Sequence, residues 1–131
     1  MTESKFIKVL GEWEGYEISS VSRYEADEDR GRAEVWIELT PQKGVKRRCS
    51  GCDQEVMHVH DTEERCVRDL PILDAVTWLQ LHRVRVACPE CGPRVEALAW
   101  LPRYRRFTQR FEENVARLCD VLPIQHVADN V

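Results

Sequence analysis

Four of the six cysteines in this chain of 131 residues form two pairs, each with two residues between its members. The pairs are Cys49-Ser50-Gly51-Cys52 and Cys88-Pro89-Glu90-Cys91. A tight turn after the first cysteine brings the second thiol back beside it, so two pairs offer four sulfur ligands. Four thiolates are the donor set of a closed, tetrahedral structural zinc site. The sequence therefore predicts one structural Zn²⁺ ion, with no coordination position left for catalysis. Its ligands are Cys49, Cys52, Cys88 and Cys91.

The segment between the pairs is longer than in most zinc motifs, so spacing alone leaves alternatives open. Disulfide bonds are disfavoured, because the start, Met-Thr-Glu-Ser-Lys, has no apolar signal sequence, and without export the compartment is reducing. A redox-active pair would normally be a single motif at the start of a helix. Iron stays open, since segment 88–92 resembles a rubredoxin knuckle and four thiolates also suit iron. A further, less favoured ligand set is His58, His60 and Cys66.

Charge is unevenly distributed along the chain. The net charge is −4, yet residues 1–40 carry five Lys or Arg against ten acids, whereas residues 81–131 carry eight Arg against six acids. A local basic surface is typical of nucleic-acid contact, and arginine binds phosphate through two N–H groups at once. We therefore predict double-stranded DNA as the partner. The predicted DNA contacts are Arg83, Arg85, Arg94, Arg103, Arg105, Arg106 and Arg110.

The composition predicts a folded protein that is not embedded in a membrane. Hydrophobic residues make up 43% of the chain and charged residues 32%, a balance typical of globular proteins. No run of about 18 apolar residues occurs, so no membrane-spanning helix is predicted. With no export signal either, the sequence predicts a cytoplasmic location.

Alternation of apolar residues predicts a β-rich region around the cysteines. The predicted strands cover residues 16–24, 33–40, 56–59, 65–70 and 75–87. An acidic stretch at 26–32 predicts a hairpin turn, and Asp61-Thr62-Glu63-Glu64 predicts a polar turn between two short strands. The longest strand ends by delivering Cys88 to its knuckle, as strands do in zinc ribbons. Asp69 is interpreted as the salt-bridged end of a strand.

Beyond residue 97 the hydrophobic period becomes helical. The apolar positions are Phe111, Val115, Leu118, Cys119 and Leu122. Thr108 is the predicted N-cap, and Cys119 on the apolar face is predicted to lie in the core. Pro123 ends this helix and can open a second one. Two short helices joined by a tight turn are the first part of a helix-turn-helix DNA-binding unit.

Several motifs follow one another in a fixed order along residues 7–131. They are strand 35–40 leading into Cys49, then Val59-His60-Asp61, Arg65-x-Val67-Arg68-Asp69-Leu70-Pro71, the strand into Cys88-Pro89-x-Cys91-Gly92, and Arg105, Phe107-Thr108 and Arg110-Phe111. This ordered set is similar to the N-terminal part of bacterial insertion-sequence transposases of the ISL-three family. The resemblance implies a zinc-binding domain and a helix-turn-helix that recognise transposon ends. It also implies a large Asp-Asp-Glu catalytic domain that cuts and joins DNA with two metal ions.

Together these features predict an α+β fold, a small zinc-ribbon-like domain followed by a short helical segment. The predicted units are an acidic β segment at 1–44, the four-cysteine domain at 45–100 and a truncated helix-turn-helix at 101–131. This chain is predicted to be no enzyme by itself, because it contains nothing of the catalytic domain. The parent protein would be a transposase that associates with the nucleoid and can form homo-oligomers. The alternative functions are a zinc-ribbon module that binds protein instead of DNA, and a rubredoxin-like electron carrier.

Overall fold

The computed structural model describes residues 13–29, 31–102 and 105–121, and these form seven strands and one helix. The elements are β1 (Tyr16–Tyr24), β2 (Glu34–Pro41), β3 (Arg47–Arg48), β4 (Glu55–Val56), β5 (Val59–Ile72), β6 (Ala75–Cys88), β7 (Gly92–Val95) and α1 (Gln109–Val121). The strand-rich part followed by a helix agrees with the predicted α+β class. The predicted second helix lies outside the described residues. No described helix has the length and apolar character needed to cross a membrane.

Five strands form a mixed sheet built around the long strand β6. Their order is β1-β2-β6-β5, and β7 pairs with the end of β6. β2 runs parallel to β6, whereas the other neighbours in this sheet are antiparallel. β3 and β4 form a separate two-stranded ribbon. Because β2 lies in the predicted segment 1–44 and β6 in segment 45–100, these two segments share one sheet.

The core lies against one face of this sheet, since β2 and β6 both alternate apolar and polar residues. Ile37 is opposite Leu79 and Leu39 is opposite Leu81, and all four side chains are fully buried. Burying a side chain of this size contributes roughly 1.5–3 kcal/mol. Trp36 points to the opposite face, as the alternation predicts. We call the face of Ile37 and Leu79 the inner face, and that of Trp36 the outer face.

The buried side of β6 changes near its end. Arg83 is buried on the inner face, but Val84 and Val86, which point the other way, are buried too. Pairing with β2 stops at Leu81, so the backbone beyond it needs other partners. Strand β7 pairs with the last residues of β6, and the Tyr16 hydroxyl accepts a hydrogen bond from the amide of Val84 at 2.9 Å. The end of β6, which leads into Cys88, is therefore enclosed on both faces.

β5 differs from the sequence prediction, which placed a polar turn at residues 61–64 between two short strands. The structure has one continuous strand of 14 residues there. Its acidic residues lie opposite basic residues of β6, with Asp61 beside Arg85 and Glu63 beside Arg83. The Arg85 Nη1 to Asp61 Oδ2 distance is 3.1 Å. Cross-strand charge pairs of this kind stabilise strand pairing, which explains why polar residues continue the strand.

A buried polar cluster joins β1 to the segment after β7. Glu96 is 3% exposed and accepts hydrogen bonds from the Tyr16 hydroxyl and from Arg47 Nη1, the latter at 2.6 Å. Arg47 also donates to the main-chain oxygens of Gly15 and Gln42. Burial raises the pKa of Glu96, and these two donors oppose that effect. The cluster thus fixes β3, which leads into Cys49, against the N-terminal strand.

Replacing Tyr16 by phenylalanine is expected to lower the free energy of unfolding by about 1–3 kcal/mol, because a buried amide and a buried carboxylate each lose a partner. Urea denaturation of the metal-bound chain measures this change. Tyr24→Phe is the matched control, since Tyr24 is 45% exposed and its change should stay within about 0.5 kcal/mol. Equal changes in the two variants would show that the buried hydroxyl contributes nothing.

Candidate metal centre and nucleic-acid interface

The two cysteine pairs meet at the end of β6. Cys49 and Cys52 follow β3, Cys88 is the last residue of β6, and Cys91 precedes β7. Their four sulfur atoms all lie within 4.8 Å of one another, and the Cys52 and Cys88 sulfurs are 3.6 Å apart. Zinc–sulfur bonds of about 2.3 Å in a tetrahedron place the sulfurs about 3.8 Å apart. The sulfur spacing therefore fits one tetrahedral ion.

The first knuckle leaves little room for a side chain at position 51, which is glycine. The Gly51 amide donates to the Cys49 sulfur at 3.3 Å, and the Asp53 amide donates to the Cys49 carbonyl at 2.8 Å. A Cβ atom at position 51 would lie 3.2 Å from the Cys91 sulfur and 3.6 Å from the Cys49 sulfur. A Cβ here would press on the Cys91 sulfur, one of the four candidate ligands, whereas its distance to the Cys49 sulfur is an ordinary contact.

The ionisation of the thiols fits a cation at their centre. Burial raises the pKa of Cys49, but N–H donation by Cys52 and Gly51 brings it down to about 7. Hydrogen bonding with Cys52, and then burial, raises the pKa of Cys91 to about 12. Four crowded thiolates are unfavourable without a positive charge, which a divalent ion would supply. Among the described residues, no other set of three or more His, Cys, Asp or Glu side chains is placed to hold a metal ion. The alternative ligand set of two histidines and Cys66 is therefore not assembled.

Asp69 joins the start of α1 to β5. Its side chain is fully buried. One oxygen, Oδ1, accepts hydrogen bonds from Thr108 Oγ1 and Arg110 Nε, both at 2.7 Å. The other, Oδ2, accepts from Trp13 Nε1 at 2.9 Å and from Arg110 Nη2. Burial raises the pKa of Asp69, but the Arg110 and Thr108 donors hold it below its usual value. The predicted salt bridge of Asp69 is confirmed, whereas its strand continues to Ile72 instead of ending there.

The residues before α1 extend the sheet at the edge of β5. The Arg68 amide donates to the Arg106 carbonyl at 2.8 Å, and the Thr108 amide donates to the Arg68 carbonyl at 3.0 Å. Phe107 thereby forms a parallel bridge with Arg68. The Thr108 side chain then accepts a hydrogen bond from the Phe111 amide at 3.3 Å, which confirms the predicted N-cap. The entry of the helix is thus fixed to β5 by main-chain and side-chain contacts.

Helix α1 packs on the sheet through its first turn. Phe111 is 6% exposed, whereas Val115 and Leu118 are only half-buried. The predicted core position of Cys119 is wrong, since this side chain is exposed. Beyond the first turn the apolar positions are at most half-buried, so the periodicity of the helix marks an apolar face but not the extent of burial. Phe107 stacks on Phe111 with ring centroids 5.4 Å apart, yet remains 43% exposed.

Three of the arginines predicted to contact DNA have partners within the fold. Arg83 is 2% exposed and donates to the Glu96 carbonyl at 3.1 Å. This burial contradicts the prediction of a DNA contact by Arg83, because the side chain cannot reach a ligand. Arg85 is ion-paired with Asp61, and Arg110 is ion-paired with the buried carboxylate of Asp69. Counting charges along the sequence does not distinguish arginines that are buried or ion-paired within the fold from arginines that are available to bind DNA.

The other arginines of the predicted set are mostly exposed. Arg94, Arg105 and Arg106 have exposed side chains, and Arg103 lies outside the described residues. Arg105 Nε is 3.7 Å from Glu112, a distance that allows only a weak ion pair at the surface. Arg117 on α1 is exposed as well, and the sequence prediction omitted it. Its position opposite the apolar face of the predicted helix is the signal that could have found it.

Two protein families match consecutive parts of the chain. Residues 46–91 match the zinc-finger of transposase IS204/IS1001/IS1096/IS1165, which includes all four clustered cysteines. Residues 96–131 match the helix-turn-helix domain of transposase family ISL3. The transposase for insertion sequence element IS1001 from Bordetella parapertussis is 40% identical over 129 residues. This chain belongs to the ISL3 transposase family. The resemblance found in the sequence motifs is thereby confirmed.

The ISL3-family relatives are much longer than this chain. The IS1001 alignment covers 98% of this chain and 30% of the relative. Transposases for insertion sequence element IS1557 from two Mycobacterium tuberculosis strains are 29% identical over 96 residues, covering 72% of this chain and 22% of each relative. The chain thus spans less than a third of the curated relatives it matches. No solved structure matches it.

Proposed function

We propose that this ISL3-family chain is the DNA-binding N-terminal part of a transposase, and that it recognises the ends of an insertion sequence. The observation that carries the proposal is the attachment of α1, the first helix of the matched helix-turn-helix domain, to the edge of a sheet whose far end holds four clustered cysteines. In a helix-turn-helix the first helix crosses the DNA backbone and the second enters the major groove, so the orientation of the first helix positions the second. The attachment through Asp69 and residues 106–108 supplies that orientation.

One structural zinc ion bound by Cys49, Cys52, Cys88 and Cys91 is part of this proposal. With four thiolate ligands, zinc has no open position for water or substrate and supplies cohesion instead of chemistry. The ion would tie the end of β6 to the knuckle that follows β3. The exposed arginines would then be carried on a rigid support.

The proposed DNA surface contains the exposed arginines at the helix entry and on α1. Arg105 and Arg106 immediately precede the helix, and Arg117 lies two turns along it. Arg94 on β7 is a more distant contact, while Arg85 and Arg110 are reduced to secondary candidates by their ion pairs. DNA contact by Arg103, which lies outside the described residues, stays a prediction. Neutralising about five phosphates gives a log–log salt slope near −4.5 on duplex DNA.

Replacing Arg105 and Arg106 together by alanine is expected to weaken DNA binding by similar factors on all sequences, because phosphate contacts carry no base information. The salt slope should become less steep by about 1.8, since each lost contact removes about 0.9. Fluorescence anisotropy with a labelled mixed-sequence duplex at rising salt measures both quantities. Arg85→Ala is the comparison variant, and its effect should be smaller because Asp61 already neutralises this arginine.

Recognition of insertion-sequence ends is tested with two duplexes of equal length. One carries the terminal repeats that flank the parent gene, and the other carries the same bases in scrambled order. Tighter binding to the repeats is expected, whereas equal binding would leave only a non-specific DNA-binding role. The parent protein is proposed to be a transposase of the cytoplasm that associates with the nucleoid through this contact and can form homo-oligomers.

A protein-binding module is the second candidate function. It is favoured by the exposure of β1, where Val21 is 42% exposed and its neighbours are mostly exposed as well. The acidic residues that follow β1 also fit poorly on DNA. Absence of duplex binding at low salt by the metal-bound chain would reject the DNA proposal for this chain and favour the protein-binding one.

A further inference from the structure

The turn between β5 and β6 presents an exposed leucine in an unfavourable backbone conformation. This turn consists of two residues, Leu73 and Asp74, which we call the hairpin tip. The Leu73 side chain is 83% exposed, and its φ of 58° lies in the left-handed region that favours glycine or asparagine. Because the side chain is so exposed, packing within the chain does little to offset this strain. A leucine at this position therefore indicates a contact outside the chain.

The hairpin tip also carries a carboxylate that is only partly neutralised. Arg23 Nη2 is 3.7 Å from Asp74 Oδ1, and both side chains are exposed, so this ion pair is weak. The same guanidinium holds Glu25 more closely, with Nε 2.7 Å from Oε1. A carboxylate at the tip opposes contact with DNA phosphates. The chemistry of the tip instead fits a protein surface that offers an apolar recess and a positive charge.

A recess of this kind lies where β2 ends and β5 begins. It has a volume of about 390 Å³, and we call it the apolar groove. Its apolar lining comes from Pro41, Val45, Met57 and Val59, and Lys43 lines it as well. Met57 and Val59 are, after the leucine of the hairpin tip, the most exposed large apolar side chains in the described ranges. Within those ranges no ion pair or hydrogen bond involves the exposed Lys43 ammonium.

The hairpin tip cannot enter the apolar groove of its own chain. The tip immediately precedes Ala75, the first residue of β6, whereas Val59 is paired with Val86 near the other end of that strand. At about 3.3 Å per residue, Ala75 and Val86 are about 36 Å apart. The tip and the groove thus lie at opposite ends of the sheet, and only separate copies of the chain can bring them together.

We propose that the hairpin tip of one copy docks in the apolar groove of a second copy. Leu73 contacts Met57 and Val59 there, and Asp74 lies beside Lys43. The inference rests on the self-association proposed for the parent protein and not on its DNA binding. Because the two copies use different surfaces, the contact is heterologous and joins copies head to tail. It uses none of the arginines of the proposed DNA surface, so associated copies can still bind a duplex.

The first test uses Leu73→Asn in the full 131-residue chain, purified with zinc. Self-association should weaken by about tenfold or more, because the apolar anchor of the contact is lost. Asparagine tolerates the left-handed backbone, so the free energy of unfolding should stay the same or rise. Sedimentation velocity at increasing protein concentration measures the association, and urea denaturation measures the stability. An unmodified chain that stays monomeric up to its solubility limit would overturn the inference.

Val21→Thr is the matched control, since Val21 is an exposed apolar residue of β1 outside both the hairpin tip and the apolar groove. Its association should match that of the unmodified chain. Equal association by Leu73→Asn would overturn the inference and leave the proposed DNA binding intact. Absence of duplex binding by a chain that still associates through the tip is a different result, because it contradicts the DNA proposal and leaves this contact in place.

An exchange of charges tests the pairing of the two surfaces directly. Asp74→Lys and Lys43→Glu should each associate less than the unmodified chain, because each places like charges together at the contact. A mixture of the two variants should associate again, since every tip then finds a groove of opposite charge. A mixture that associates no better than either variant alone would overturn the proposed pairing.

A further measurement leaves the chain unmodified. The sequence contains only two methionines, so the methyl signal of Met57 is readily assigned by nuclear magnetic resonance. This signal should move as the chain is diluted and its associated copies separate, and Leu73→Asn should hold it at the position found on dilution. A Met57 signal that does not move while the mass of the particles falls would place the contact elsewhere and overturn the inference.

Discussion

Removal of the metal ion is expected to unfold the sheet of this ISL3-family chain, and Cys88→Ser is expected to do the same. Cys88 ends β6, the strand to which β2, β5 and β7 all pair. Apparent zinc-binding free energies of about 10–16 kcal/mol at neutral pH are as large as the whole stability of a small domain, about 5–15 kcal/mol. Loss of the ion therefore leaves little to oppose chain entropy.

Chelator titration followed by circular dichroism measures this unfolding. Cys66→Ser and Cys119→Ser are the matched controls, since both thiols are exposed and lie outside the four-cysteine cluster. Both variants should bind metal and fold as the unmodified chain does. A sheet that persists after complete metal removal would contradict the structural role of the ion.

Metal analysis of the purified chain should find one zinc ion per chain and no visible absorption band. An iron tetrathiolate is coloured, so a red preparation would instead revive the rubredoxin-like alternative. Acid should release the ion, because thiolate ligands must lose their metal when they are protonated. The same experiment therefore separates the two metals and checks the thiolate chemistry of the four cysteines.

Replacing Asp69 by alanine is expected to lower the free energy of unfolding by about 3–5 kcal/mol, the cost of removing one partner of a buried ion pair. Four side-chain donor groups lose their acceptor: Trp13 Nε1, Thr108 Oγ1, and Nε and Nη2 of Arg110. Because these donors come from the start of the described chain and from the entry of α1, the helix should separate from β5. Urea denaturation with Trp13 fluorescence as one probe measures both effects.

The control for this variant is Asp61→Ala on the same strand. Asp61 is half-exposed and paired with Arg85, so its loss should cost no more than about 1 kcal/mol. The folded pKa of Asp69 lies below its usual value, so its contribution is present above the unfolded pKa near 3.9 and is lost as the pH falls through the folded pKa. Asp69→Ala should remove this part of the acid dependence, which Asp61→Ala should leave in place.

Much of the fold could be predicted from the sequence, because its signals are local. Alternation in β2 located the buried residues Ile37 and Leu39, and a Thr108 N-cap located the start of α1. The two cysteine pairs predicted the cluster of four sulfurs that the structure contains. In each case, neighbouring residues in the chain determine the geometry, so spacing carries the information.

The sequence predictions were wrong where contacts between residues distant in the sequence determine the structure. In the sequence, the acidic residues at 61–64 indicate a turn. In the structure they continue a strand, because β6 places Arg83 and Arg85 opposite them. Arg83 itself counted as a surface cation, although the segment after β7 buries it. Cys119 follows the apolar period of α1, but its side chain is exposed. Tertiary packing determines these three outcomes, and local sequence patterns carry no information about it.

The parallel pairing of β2 with β6 has a consequence for how this chain folds. Parallel neighbours need a long connection, and here that connection contains the first cysteine knuckle, the β3–β4 ribbon and all of β5. Closing so long a loop is slow, because its entropy is lost before the distant contacts form. An ion shared between Cys52 and Cys88 would close nearly the same loop in advance. We therefore expect zinc to act early in folding, as the nucleus around which the central strands find their register.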